Sequence, residues 1–305
     1  MADGHDGPAL RRAAGGFAGL RRDLLARFLR DYPFQPATAL WRAIEVEHLM
    51  ARGLPEGRGL DLGCGDGLLT RIVLESSGGH REVVGVDPDP AEAAQALALG
   101  IYAAVHVAGG DRVPEADGSF DWVLSNSVLE HIEAIEPVLA EVSRVLRTGG
   151  QFVFTVPGPD FHACLRGPVL PGVSRDEYLR RLDARLAHLR YWDRSRWEEA
   201  LGSRGMAIDW LSGYLSVAEV RRWESISRVT AGVLYGLGRG RRRPIEIQRR
   251  LGLRRQGLQM PAVVARVVAQ ATAAGLKDSS PIFGCLLIRA SKASTAPTRT
   301  ATRTG

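Results

Sequence analysis

Residues 60 to 67 read Leu-Asp-Leu-Gly-Cys-Gly-Asp-Gly and run from a short Gly/Pro-rich turn into the apolar stretch Leu68 to Leu74. Glycines at 63, 65 and 67 let a strand turn sharply into a helix while the backbone approaches a ligand, because no Cβ blocks the path. Around this loop, expected strands near 58–62, 82–87, 103–107, 120–125 and 150–156 alternate with helical segments. That alternation predicts a doubly wound α/β domain: a parallel sheet covered on both faces.

The glycine spacing narrows the ligand. Dinucleotide loops read G-x-G-x-x-G and phosphate loops G-x-x-x-x-G-K-S/T, whereas this one reads G-x-G-x-G. Asp61, two residues before the first glycine, repels a pyrophosphate and attracts an ammonium group. About twenty residues beyond the loop, Glu82-Val83-Val84-Gly85-Val86-Asp87 ends in an acid placed to accept from both hydroxyls of a ribose. An amino acid joined to a nucleoside, as in S-adenosylmethionine, carries both groups.

Four segments in order, the glycine loop, the run ending at Asp87, Gly110-Asp111-Arg112, and Asp117 to Asn126 followed by Ser127-Val128-Leu129-Glu130-His131-Ile132, resemble the class I S-adenosylmethionine-dependent methyltransferases. Within that class the succession looks like the bacterial small-molecule subgroup called methyltransferase type 11. The resemblance implies a Rossmann-like seven-stranded sheet and S-adenosyl-L-methionine as cofactor. It implies cofactor contacts at Asp61, Gly63, Cys64, Gly65, Gly67, Asp87, Pro88, Asp111, Arg112, Ser125 and Asn126, with Asp111 beside adenine. Val113-Pro114-Glu115 departs from the subgroup's usual Leu-Pro-Phe, which weakens the adenine-side packing carried over at Glu115. His188-Leu189-Arg190-Tyr191-Trp192 falls where such proteins place a helix before the sixth strand, and Phe283 to Ala290 resembles their antiparallel last strand.

The expected organisation is an N-terminal helical cap over 1–56, a cofactor-binding core over 57–212, a basic helical insertion over 213–281, the final core strand at 282–290 and a Ser/Thr/Ala/Pro-rich disordered tail at 291–305. Two apolar stripes are expected inside the insertion: Ile226, Val229, Val233, Leu234 and Leu237, then Val263, Val264, Val267, Val268 and Ala271. Charge is uneven. Residues 221–305 hold 17 Lys+Arg against three acids, leaving 23 against 31 of the chain totals of 40 and 34 before them. The densest run, Arg239 to Arg255, is either a solvated face or a contact for phosphates, and the basic region 221–266 offers peripheral membrane or lipid-linked substrate contact.

Three cysteines at wide spacing, with no C-x-x-C, argue against a disulfide framework or a zinc site, so no metal is expected. The N-terminal residues lack the apolar core of a signal peptide, and no 18 consecutive residues are apolar; a cytoplasmic enzyme, or one peripheral at a membrane, is the expectation.

Methyl transfer from a sulfonium is an in-line displacement, in which alignment and water exclusion supply most of the acceleration. A hydroxyl acceptor also needs a base. His131, just beyond the carboxyl end of the fourth strand, is the first candidate, with packing or helix capping as its bland alternative. His162 is the second, on a loop with Asp160 and Phe161. Arg190, Tyr191 and Trp192 resemble the segment that closes over the acceptor and suit a sugar or phosphate-bearing substrate. The expected activity is methylation of a small-molecule or carbohydrate-like acceptor, with oxygen as the methylated atom. Alternatives are a lipid-linked glycan or isoprenoid acceptor, then RNA, then a non-catalytic scaffold; an NAD-dependent dehydrogenase ranks below these. RNA is disfavoured because Ser125-Asn126-Ser127-Val128 stands where a flipped-base platform of the Asn-Pro-Pro-Tyr type would be.

Overall fold

A computed structural model describes residues 16–77, 81–169, 171–232, 259–274, 276 and 280–293. Seven strands form one sheet: β1 (Gly57–Leu62), β2 (Arg81–Asp87), β3 (Ala104–Val107), β4 (Phe120–Asn126), β5 (Leu146–Pro157), β6 (Met206–Ser216) and β7 (Phe283–Lys292). Their order across the sheet is β3-β2-β1-β4-β5-β7-β6. β1 to β5 pair in parallel, and β7 pairs antiparallel with β5 on one side and β6 on the other.

Central strands buried on both faces carry apolar residues at successive positions rather than alternate ones. In β4, Trp122 and Leu124 enter one core while Val123 enters the other. The first core is roofed by α1 (Gly16–Asp31), α2 (Pro36–Arg52) and α3 (Leu68–Ser77), which supply Leu25, Phe28, Leu40, Ile44 and Ile72. The second is roofed by α5 (Ile135–Val145) and α8 (Arg194–Gly202), through Val138, Leu139, Val142 and Trp197. Gly59 marks the tightest approach: a Cβ there would stand 2.0 Å from the Trp122 ring, so the indole occupies the space that a side chain on β1 would need.

α4 (Pro90–Ala98) begins with Asp89 accepting from the amides of Ala91 and Glu92, and Pro90 sits where a missing N–H costs nothing. α6 (Phe161–Cys164) and α7 (Arg175–Leu186) follow β5, and α9 (Val217–Ser227) opens with a capping box between Ser216 and Glu219. α10 (Ala262–Ala273) lies against α1.

Several sequence expectations shift. Residues 188–192 are irregular, and the helix before β6 is α8, whose start is set by the Asp193 side chain accepting from the Arg196 amide. β6 runs through Ser216, so the first residues of the segment read as an insertion belong to the sheet. α10 turns a different face inward than its valines suggested. Ala265 and Ala269 are buried because small side chains permit close helix approach, while Val263, Val264 and Val267 are 70%, 47% and 63% exposed. In the other stripe Ile226 packs on the core and Val229 faces solvent; Val233, Leu234, Leu237, the Arg239 to Arg255 run and residues 294–305 lie outside the described residues. Among the described residues no helix is long and apolar enough to cross a membrane.

Candidate active site

The sheet order reverses between β1 and β4, and in such sheets the crevice beyond the strands' carboxyl ends binds ligands. Here that crevice is a cavity of about 550 Å³, within the range of small-molecule sites. The loop after β1 forms one wall and residues Asn126 to His131 after β4 form another. α2 roofs it with Ala37, Thr38, Trp41 and Arg42.

The glycine loop has the conformation its sequence requires. Gly63, Gly65 and Gly67 take φ of 79°, 54° and 75°, in the left-handed region that side chains disfavour. At Gly63 a Cβ would collide with Val128, whereas at Gly65 the nearest heavy atom would be Glu92 at 4.0 Å. The backbone at Gly65 therefore stands open toward the cavity. Asp87 braces the loop: one carboxylate oxygen accepts from the Gly65 amide at 2.9 Å and the other from the Asp89 amide at 2.9 Å. Each oxygen keeps acceptor capacity for a ribose hydroxyl.

Asp61 ends in the same wall, 2% exposed, and one of its oxygens accepts from Thr70 and from Tyr102, both at 2.6 Å. Burial lifts its pKa to about 6 against the pull of those two hydrogen bonds. A ligand ammonium is the partner such a buried carboxylate lacks. The open glycine backbone, the buried acid and the Asp87 carboxylate fit S-adenosylmethionine: Asp61 for its ammonium, Asp87 for its ribose. Cofactor affinity is then expected to fall as pH drops below about 6, where Asp61 holds its proton, and to level off above it; calorimetric titration across that range checks this. The same shift has an opposite sign for stability. The empty folded protein keeps a proton that the unfolded chain releases, so this group's contribution is present at low pH and is lost as pH rises through about 6.

Of the other residues named from sequence, Cys64 and Asn126 line the cavity. Cys64 is packed under the loop, and burial raises its thiol well above its ordinary pKa, which removes it as a nucleophile. Ser125 is fully buried and donates to the Leu62 carbonyl, tying β4 to the end of β1 rather than facing a ligand. Pro88 is exposed before α4, and Asp111 and Arg112 sit on an exposed turn outside the cavity lining.

The acceptor-side expectations divide in the same way. His131 lines the cavity from a 3₁₀ turn, Leu129–His131, with its Nδ1 3.0 Å from the Ala187 carbonyl. His162 does not line it; its Nε2 meets Asp183 at 2.9 Å. Arg190 is also turned away, its guanidinium donating to the carbonyls of Leu129, Ile132 and Glu133. Tyr191 donates to Asp183 at 2.5 Å, and Trp192 packs on Trp197. All three serve the wall behind the cavity.

The sequence reading put a helical cap over the site but gave no role to its residues or to Trp223 on α9. Trp41 and Trp223 meet edge to face at 5.2 Å in the lining, and Arg42 reaches the cavity while pairing with Glu45 at 2.7 Å. Glu45 is fully buried and accepts from Asn126, Ser127, Thr155 and Tyr214 as well. It holds Ser127, a non-glycine residue at φ 51°, at the mouth of β4. The available signal was an acid among the apolar residues Ile44, Val46 and Leu49. His188 and Glu130 also line the cavity.

Residues 60–154 match the methyltransferase-domain family. Among curated proteins, the chain is similar to an uncharacterised methyltransferase of Schizosaccharomyces pombe, 43% identical over 31% of this chain and 37% of that protein. It is similar also to dimethylglycine N-methyltransferase of Parasynechococcus marenigrum, 37% identical over 40% of this chain and 45% of that protein. The chain thus spans less than half the length of these two relatives. Among solved structures the cyclase SpnF superposes with a TM-score of 0.50 at 17% identity, over 81% of this chain and 79% of that one, a likeness of fold alone. The matched segment coincides with the glycine loop, Asp87 and the β4 turn, so the part of the chain that lines the cavity is the part similar to the methyltransferase-domain family.

Proposed function

We propose that the protein transfers the methyl group of S-adenosylmethionine to an oxygen of a small-molecule or carbohydrate-like acceptor. The observation that carries this reading is the chemical polarity of one cavity. Its lining offers an open glycine backbone and carboxylates together with Trp41, Trp223, His131, His188 and the guanidinium groups of Arg42 and Arg185. Aromatic faces beside cations suit a sugar or an anionic ring.

Oxygen is favoured over nitrogen by the histidine. A neutral amine attacks a sulfonium methyl without first losing a proton, whereas a hydroxyl needs a base as the O–C bond forms. A carbonyl only accepts, so His131 Nδ1 must donate to Ala187, and the lone pair of its neutral ring lies on Nε2. His131→Ala is expected to lower turnover by about 10²–10⁴-fold and leave S-adenosylhomocysteine affinity unchanged. Equal turnover would remove it as the base.

Titration with S-adenosylmethionine and S-adenosylhomocysteine beside NAD, followed by labelled-methyl transfer to a panel of hydroxylated acceptors, tests the whole reading. Binding of the first pair alone and label on an acceptor support it; no binding by any of the three makes a non-catalytic scaffold the better account. A second reading, a lipid-linked acceptor met at a membrane surface, is supported by the exposed Val263, Val264 and Val267. Sedimentation with anionic vesicles that vanishes when these three become serine would favour it.

A further inference from the structure

We propose that Glu130, His131 and His188 bind a divalent transition-metal ion at the acceptor end of the cavity. One ligating atom from each residue lies within 4.8 Å of the other two. The His131 Nε2 and a Glu130 oxygen are already 3.9 Å apart. Metal bonds of about 2.0–2.2 Å need donors within about 4.2 Å of one another, so closure asks for less than about 1 Å of side-chain movement.

The surroundings have the form of a metal site's supporting shell. Metal-bound histidines usually donate their other N–H to a carbonyl or carboxylate relay, which fixes the ring and its tautomer. His131 donates from Nδ1 to Ala187, whose carbonyl is turned there by a left-handed backbone at φ 59°. His188 Nδ1 lies 3.1 Å from the Tyr191 hydroxyl. Since that hydroxyl gives its own proton to Asp183, it accepts from His188. Both rings therefore carry their lone pair on Nε2.

Glu130 supplies the independent observation. It is 1% exposed, lines the cavity, and its Oε2 has no hydrogen-bond partner among the described residues. An orphaned buried carboxyl oxygen calls for an explanation, and a bound cation is one. Two imidazoles with one carboxylate suit zinc, iron(II), cobalt(II) or nickel(II) and leave coordination positions open.

The site's role, though not its occupancy, rests on the proposed methyl transfer. An acceptor hydroxyl bound to the ion loses its proton to solvent more readily. Its oxygen then forms the O–C bond as the C–S bond breaks, and the sulfonium becomes a neutral thioether. With the ion bound, His131 is a ligand and the ion replaces it in drawing off the proton.

Chelator-treated full-length protein titrated with Co²⁺, followed by visible absorption, and with Zn²⁺, followed by calorimetry, tests the site. One ion per chain is expected. Glu130→Gln and His188→Ala should each weaken binding by more than about a hundredfold, and Tyr191→Phe, which touches only the supporting shell, by about ten- to a hundredfold. S-adenosylhomocysteine affinity, measured on each variant, reports an intact fold. Absence of metal binding in protein that still binds S-adenosylhomocysteine overturns the site and leaves the methyltransferase reading standing. Metal affinity unaffected by Glu130→Gln overturns it too.

Discussion

Asp61→Asn is expected to raise the dissociation constant for S-adenosylmethionine by about ten- to a hundredfold. Asparagine keeps the shape of the side chain and an oxygen for Thr70 and Tyr102, which both donate to Asp61 at 2.6 Å. What it loses is the charge facing the ligand's ammonium. A hydrogen bond to a charged group contributes about 1.5–3 kcal/mol, and 1.4 kcal/mol is tenfold in affinity. Adenosine, which lacks the ammonium, is the control: calorimetry should show it binding both proteins equally. An unchanged S-adenosylmethionine affinity would withdraw Asp61 from the cofactor site.

Glu45→Ala is expected to lower the stability of the fold by about 3–5 kcal/mol, the usual cost of removing one partner of a buried ion pair. Thermal unfolding should then begin on the order of 10 °C lower. Burial alone would drive the Glu45 carboxyl to keep its proton, but Arg42 and the hydrogen bonds from Ser127, Asn126 and Thr155 outweigh it and hold the pKa below its ordinary value. The residue is thus charged, and its removal leaves the Arg42 guanidinium at the cavity wall, an amide and three hydroxyls without their shared acceptor. Glu45→Gln should fall between the two proteins. A wild-type melting temperature in Glu45→Ala would mean that water enters to replace the carboxylate.

The parts of the fold visible in the sequence were those governed by local rules. Alternating glycines, β-branched runs and an acid at a strand's end are short-range patterns, and β1, β2, β3 and β4 lie within about a residue or two of where those patterns put them. Asp61, Gly65 and Asp87 line one cavity because a strand-to-helix turn leaves them little freedom. The acceptor end depends on long-range packing. Whether Arg190 faces a ligand or the carbonyls of Leu129 and Ile132 is decided by a turn some sixty residues away, and nothing near Arg190 encodes it. α10 misled for a related reason: its valines are its bulkiest apolar residues, yet close approach to α1 rewards the smaller alanines.

β7 lies between β5 and β6, so the strand nearest the chain's end is an interior strand of the sheet. Among the described residues β6 has β7 as its sole sheet neighbour. During synthesis, β1 to β5 and the cofactor loop can assemble while β6 waits, its backbone groups unpaired, for residues 283–292 to leave the ribosome. The cofactor half is therefore expected to mature first. A nascent chain halted before Phe283 presents the open edge of β5 and a solitary β6, the kind of surface that chaperones hold and that pairs with the wrong strand when they do not.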